Sequence, residues 1–142
     1  MSLFSKGLSR DEIVAHAPTL ATHFSAFYGS FSKQPYVPLQ TLELCRLRVA
    51  QLHQCVEAFE GVEYAIAAEQ KDKLTEWTQC ASFSAAEKAC LAFAEVYCMD
   101  PSSITDEHAE AVKAHYKDAG LVVLVEALGV YYGMTRLSQM WA

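Results

Sequence analysis

The chain has 142 residues, of which 52% are hydrophobic and 20% charged, the balance of a single globular domain spanning residues 1–142 rather than a disordered segment. Seventeen acidic against eleven basic side chains leave a net charge of -6. That argues against nucleic acid or an anionic membrane as partner, because both demand a basic face. No run of eighteen uncharged apolar residues is found, and no signal-peptide core precedes Arg10-Asp11-Glu12, so the expectation is a cytoplasmic protein with no membrane span.

Along the chain, apolar residues recur at helical spacing and nowhere alternate like a strand. Ser9 and Glu12 form a capping-box pattern ahead of Ile13 and Val14. Leu20, Phe24, Phe27, Tyr28 and Phe31 then share one helix face, and Pro35 and Pro38 break the chain. From Gln40, the series Leu42, Cys45, Val49, Leu52, Val56, Phe59 steps by three and four until Gln70-Lys71-Asp72-Lys73 closes the stripe. Ser84 and Glu87 form a second capping box, opening a helix that carries Cys90, Leu91, Ala94 and Cys98 and ends at Asp100-Pro101. Thr105, Asp106 and Glu107 start another, which Gly120 separates from a last helix, Leu121 to Met140. That last helix is apolar on nearly all sides, which suits a buried central helix or a subunit interface. The pattern predicts an all-α fold of about six helices.

The five cysteines, Cys45, Cys55, Cys80, Cys90 and Cys98, are odd in number and lack Cys-x-x-Cys spacing, which suggests neither a disulfide framework nor a zinc site. His16, His23, His108 and His115 show no metal-ligand spacing either. No metal and no cofactor are expected. A buried cysteine usually acts as a small inert hydrophobe, the ordinary reading for all but Cys55.

Cys55 stands apart because of the segment before it, Glu43-Leu44-Cys45-Arg46-Leu47-Arg48-Val49-Ala50-Gln51-Leu52-His53-Gln54-Cys55. This segment resembles the alkylhydroperoxidase D-like branch of the carboxymuconolactone decarboxylase family, whose thiol motif is a glutamate, eleven residues, then Cys-x-x-Cys and, after three more residues, His. Glu43 and Cys55 stand at that spacing. His16-Ala17-Pro18-Thr19-Leu20, Phe83-Ser84-Ala85-Ala86-Glu87 and Thr135-Arg136-Leu137 resemble the family as well, so the likeness covers most of the chain. The departures are Ala58 in place of the family's second cysteine and Val62 in place of its histidine. His53-Gln54-Cys55 is also similar to the sestrins, which keep one cysteine of the pair.

The resemblance implies an oligomeric helical protein, a trimer or hexamer, with a central antiparallel helix-turn-helix. Geometry makes the turn essential to any shared chemistry. On one straight helix Glu43 and Cys55 would lie roughly 18 Å apart. A turn between Gln51 and Cys55 folds the halves together, bringing Arg46 to Glu60 and Arg48 near Glu57.

Three functions follow from the resemblance. The first is a peroxidase-type oxidoreductase with Cys55 as the peroxide-reactive thiol, Glu43 as its proton acceptor and His53 as a substitute polariser. Its partners would be a small peroxide and, since Ala58 cannot resolve a sulfenic acid, an external thiol reductant. The second is a lyase acting on a small acidic lactone, for which the sequence offers no evident Arg and His cluster. The third is a non-catalytic oligomeric relative. His53 also stands four residues before Glu57, a spacing at which the two could simply stabilise a helix end.

Overall fold

A computed structural model describes residues 8–141, and it is all-helical, with seven α-helices and no strand among those residues. They are α1 (Arg10–Val14), α2 (Pro18–Ser30), α3 (Leu39–Leu52), α4 (Val56–Glu60), α5 (Ala68–Asp72), α6 (Ala85–Met99) and α7 (Asp106–Trp141). Two 3-10 turns, Leu74–Glu76 and Pro101–Ser103, sit between them.

Both capping boxes form. The Ser9 hydroxyl accepts from the Glu12 N–H while the Glu12 carboxylate accepts from the Ser9 N–H, and Ser84 and Glu87 repeat the arrangement. Each satisfies two N–H groups that a helix start leaves without partners. Pro18 occupies the first turn of α2, where its missing N–H costs nothing. At the start of α7, His108 takes the place a glutamate would fill: its Nδ1 accepts from the Thr105 N–H at 3.0 Å.

The central helix is α3, not the last one. Thr41 through Leu47, Val49 and Ala50 are all buried, around most of its circumference. α6 contributes Cys90, Leu91, Phe93 and Ala94, and α7 contributes Leu124, Ala127, Leu128, Tyr131 and Met134 along a single face. The three pack pairwise into one hydrophobic core. Each fully buried leucine contributes about 1.5–3 kcal/mol to it. The opposite side of α7 remains open, with Val122 62% exposed. By length and composition alone α7 could cross a membrane, its most apolar stretch having a mean hydropathy of 1.3, but its buried face belongs to the core with α3 and α6.

α7 holds a break, at Lys117 rather than at Gly120. Lys117 has φ 61° and ψ -171°, a left-handed backbone that interrupts the helix. Gly120 answers to the same distortion, because a Cβ there would stand 2.2 Å from the Tyr116 Cβ.

The chain turns between α3 and α4 where expected, but the second arm is a helix of five residues rather than one reaching residue 69. α3 stops at Leu52 and α4 runs only from Val56 to Glu60 before the chain turns extended. The expected charge pairings across it do not form. Arg48 donates to Glu95 at 2.8 Å and to Gln51 at 2.9 Å, since its side of α3 faces α6. Arg46 reaches the second arm at its backbone, donating to the carbonyls of Ala58 and Gly61 at 2.9 and 2.7 Å, and Glu60 takes no part.

Candidate functional site

The turn that ends α3 fixes where Cys55 lies. The Cys55 N–H donates to the Ala50 carbonyl at 2.9 Å and the Gln54 N–H to the Gln51 carbonyl at 3.0 Å. With Gln54 at φ 54°, these are the paired bonds of a Schellman motif, glutamine taking the left-handed position usually given to glycine. The residue after that position packs back on the last turn of its helix. Cys55 does so against Ala50, heads α4, and is 6% exposed. It lines an open groove of about 250 Å3 with Ala50, Gln51, Val56 and Phe59.

Glu43 lies about 10 Å back along α3 from Ala50. It is 1% exposed, and both carboxylate oxygens accept hydrogen bonds. Oε1 accepts from Arg46 Nε at 2.5 Å, and Oε2 accepts from Arg46 Nη2 at 3.1 Å and from the N–H groups of Glu63 and Tyr64 at 2.8 and 3.1 Å. Burial works to lower the Arg46 pKa, but Glu43, with Glu63 behind it, outweighs burial and raises it, so the guanidinium stays charged. Among the described residues no hydrogen bond joins Glu43 to Cys55.

His53 turns elsewhere. Its ring meets Tyr132 of α7 edge-on, with centroids 5.0 Å apart, and its carbonyl accepts from Gln139 Nε2. Burial first, and then the charge of Arg136, pushes its pKa below the usual histidine value. The side chain forms no ion pair with Glu57; the edge contact with Tyr132 takes its place. The structure therefore brings Glu43 to Arg46, seats Cys55 one groove away, and directs His53 onto α7.

The remaining cysteines have distinct surroundings. Cys45 is fully buried, facing Cys90 and Cys98 of α6, and its pKa is driven well up by burial. Burial likewise pushes Cys90 to about 12 and Cys98 to about 11. All five thiols are free.

A second cavity, about 220 Å3, lies on the other side of α4. Ala58 and Val62 line it, the two positions at which the resembled family carries its second cysteine and its histidine. Sequence reasoning missed its charged wall: Arg10 and Arg46 both line it, together with Glu57 and Glu63. Arg10 stands 36 residues before Arg46, and only the packing of α1 and α2 brings the two together, with Arg10 lying over the Tyr28 ring at 5.5 Å. Tyr28 donates to Glu63, and burial together with that carboxylate raises its pKa. Among the described residues no group of three or more metal-ligating side chains is found.

In comparison with known proteins, the chain matches no family model and no curated protein.

Proposed function

We propose that the chain is an alkylhydroperoxidase D-like member of the carboxymuconolactone decarboxylase family that uses Cys55 as a single redox thiol. The observation that carries this reading is the seat of Cys55: a free thiol at the junction of α3 and α4, opening on an apolar groove with room for a small peroxide. Cys45, Cys90 and Cys98 are poor rivals, because burial holds them as protonated thiols.

In this reaction the Cys55 thiolate attacks one peroxide oxygen, the O–O bond breaks, and the departing alkoxide takes a proton to leave as an alcohol. Cys55 becomes a sulfenic acid, oxidised by two electrons. Ala58 offers no second thiol, so an external thiol condenses with the sulfenic acid and releases water. A further thiol then frees Cys55 from the mixed disulfide. Glu43 and His53 have no hydrogen bond to the Cys55 thiol among the described residues, so the thiol proton leaves to water through the groove.

The same reading makes the chain a cytoplasmic homo-oligomer, a trimer or hexamer. Its support is apolar surface without a partner inside the subunit: α2 has no buried residue, and Leu20 is 63% exposed. Sedimentation that shows only monomer at micromolar concentration overturns that part.

One observation favours a second reading, a non-catalytic relative: both carboxylate oxygens of Glu43 already accept from structural donors. The lyase reading gains the two arginines of the second cavity, but Arg46 is spent on Glu43 and two carbonyls. Peroxide consumption with dithiothreitol as reductant decides the matter. The expected result is turnover that Cys55→Ser abolishes, together with an intramolecular disulfide when Ala58→Cys is oxidised. Absence of turnover in the wild type overturns the redox reading in favour of the non-catalytic one, while turnover unaffected by Cys55→Ser, or no disulfide in Ala58→Cys, removes Cys55 as the redox thiol.

A further inference from the structure

Among the chain's arginines, Arg136 is the one that the fold leaves without a counter-charge. Arg10 pairs with Glu63, Arg46 with Glu43 and Arg48 with Glu95, whereas Arg136 has no ion pair among the described residues. Its guanidinium lies over the Tyr132 ring, 5.1 Å from the centroid, and donates only to neutral acceptors: the Tyr132 hydroxyl at 3.1 Å and Gln139 Oε1 at 3.3 Å. It is exposed, and with five donors it has bonds left to give.

Beside it a cleft of about 370 Å3 opens between α6 and α7, within the roughly 300–1,000 Å3 of small-molecule sites. Tyr97, Cys98, Pro101 and Tyr132 line it. The Arg136 charge is felt inside: burial raises the Cys98 pKa, and Arg136 pulls against that rise. The Tyr97 and Tyr132 rings stand at 79° to each other with centroids 6.4 Å apart. A flat ring stacked on one therefore meets the other edge to face, and aromatic pairs favour both arrangements. Tyr132 is held in place, because His53 packs edge-on to its ring and Arg136 binds its hydroxyl. Gly129 leaves room for Tyr97, since a Cβ there would come 3.3 Å from the Tyr97 hydroxyl.

The charges set the ligand's direction. Glu126 is near enough to Tyr97 to raise its pKa, behind burial and Cys98, and Asp100 adjoins Pro101. An anionic group therefore belongs at Arg136, where a guanidinium matches a carboxylate. We propose that the cleft between α6 and α7 binds a planar aromatic carboxylate, its ring in the Tyr97–Tyr132 corner and its carboxylate on Arg136. The site goes beyond the redox reading and shares no residue with the Cys55 groove.

The test is calorimetric titration of the whole chain with trans-cinnamate, beside cinnamamide, which keeps the ring without the charge, and 3-cyclohexylpropanoate, which keeps the charge without the flat ring. The expected result is binding of cinnamate at millimolar concentration or below. Cinnamamide should be weaker by roughly tenfold or more, the worth of one charge-assisted hydrogen bond. 3-Cyclohexylpropanoate should be weaker by roughly twofold or more, the worth of an aromatic pair. Arg136→Gln should reduce cinnamate to the level of cinnamamide and leave cinnamamide itself unchanged. Bound cinnamate should also slow alkylation of Cys98, read by mass spectrometry, but not of Cys80, which lines a separate hollow. The wild-type measurements need no variant to fold. The proposal is overturned if cinnamate does not bind at millimolar concentration, if cinnamamide or 3-cyclohexylpropanoate binds as tightly, or if Cys98 gains no protection.

Discussion

Glu43 and Arg46, one turn apart on α3, form a buried ion pair whose carboxylate also holds the N–H groups of Glu63 and Tyr64. The pair thereby ties the extended chain after α4 to the central helix. Glu43→Gln should lower unfolding stability by up to about 3 kcal/mol, because it leaves the buried guanidinium only Glu63, at 3.8 Å, as counter-charge. The double variant Glu43→Leu/Arg46→Met should lose less than Glu43→Gln alone. Urea denaturation of the two variants measures the difference, and a double variant less stable than the single one would show that the pair itself adds net stability.

Gln54 occupies a left-handed backbone that costs a side chain about 1 kcal/mol. Gln54→Gly should raise stability by about 0.5–1 kcal/mol, part of the relief being lost to the greater freedom of glycine in the unfolded chain. Thermal unfolding checks the sign. A destabilised variant would mean that the Gln54 side chain contributes more in the groove than its backbone costs.

Gly120→Ala should cost more than the usual 1–3 kcal/mol of an overpacked site, since the added methyl meets a Cβ rather than the flexible end of a side chain. In a Tyr116→Gly background, which removes that neighbour, the added cost of Gly120→Ala should shrink. Equal stability of Gly120→Ala and wild type would refute the close approach.

His53 gives the fold a pH dependence of known sign. Its pKa is lowered in the folded state by burial and by Arg136, so below the unfolded value of about 6.5 the unfolded chain binds the extra proton. The contribution is complete above that value and is lost as pH falls toward the folded pKa. Melting temperatures of wild type and His53→Asn, compared from pH 8 down to about pH 5, should converge toward the acid end. A difference that stays constant with pH would exclude the effect.

The helical class, both capping boxes and the turn before Cys55 were legible because each rests on neighbours in sequence. The exact turn was not marked, since Gln54 stands where a glycine would have announced it. The break at Lys117 was displaced onto Gly120 for a related reason: the glycine is visible, but it accommodates Tyr116 three residues after the strained position. The Glu43–Arg46 bond lay at a readable i, i+3 spacing, yet the family pattern drew attention to Cys55 instead. The charged cavity could not be read at all, because α1, α4 and α7 meet there only through tertiary packing. Likewise the choice of Glu95 by Arg48 depends on where α6 docks.

The interruption at Lys117 has a consequence for the molecule's dimensions and its breathing. An unbroken helix as long as α7 would measure about 54 Å, whereas a compact chain of this length spans roughly 37 Å. The left-handed residue resolves that mismatch by dividing the helix into unlike parts. Before it, Val112 is the one fully buried residue, and most of the surface faces water; after it, Leu124, Ala127, Leu128 and Tyr131 anchor the rod in the core. The two parts should therefore open on separate timescales, with amides from Asp106 to Tyr116 exchanging deuterium well ahead of those from Leu124 to Met134.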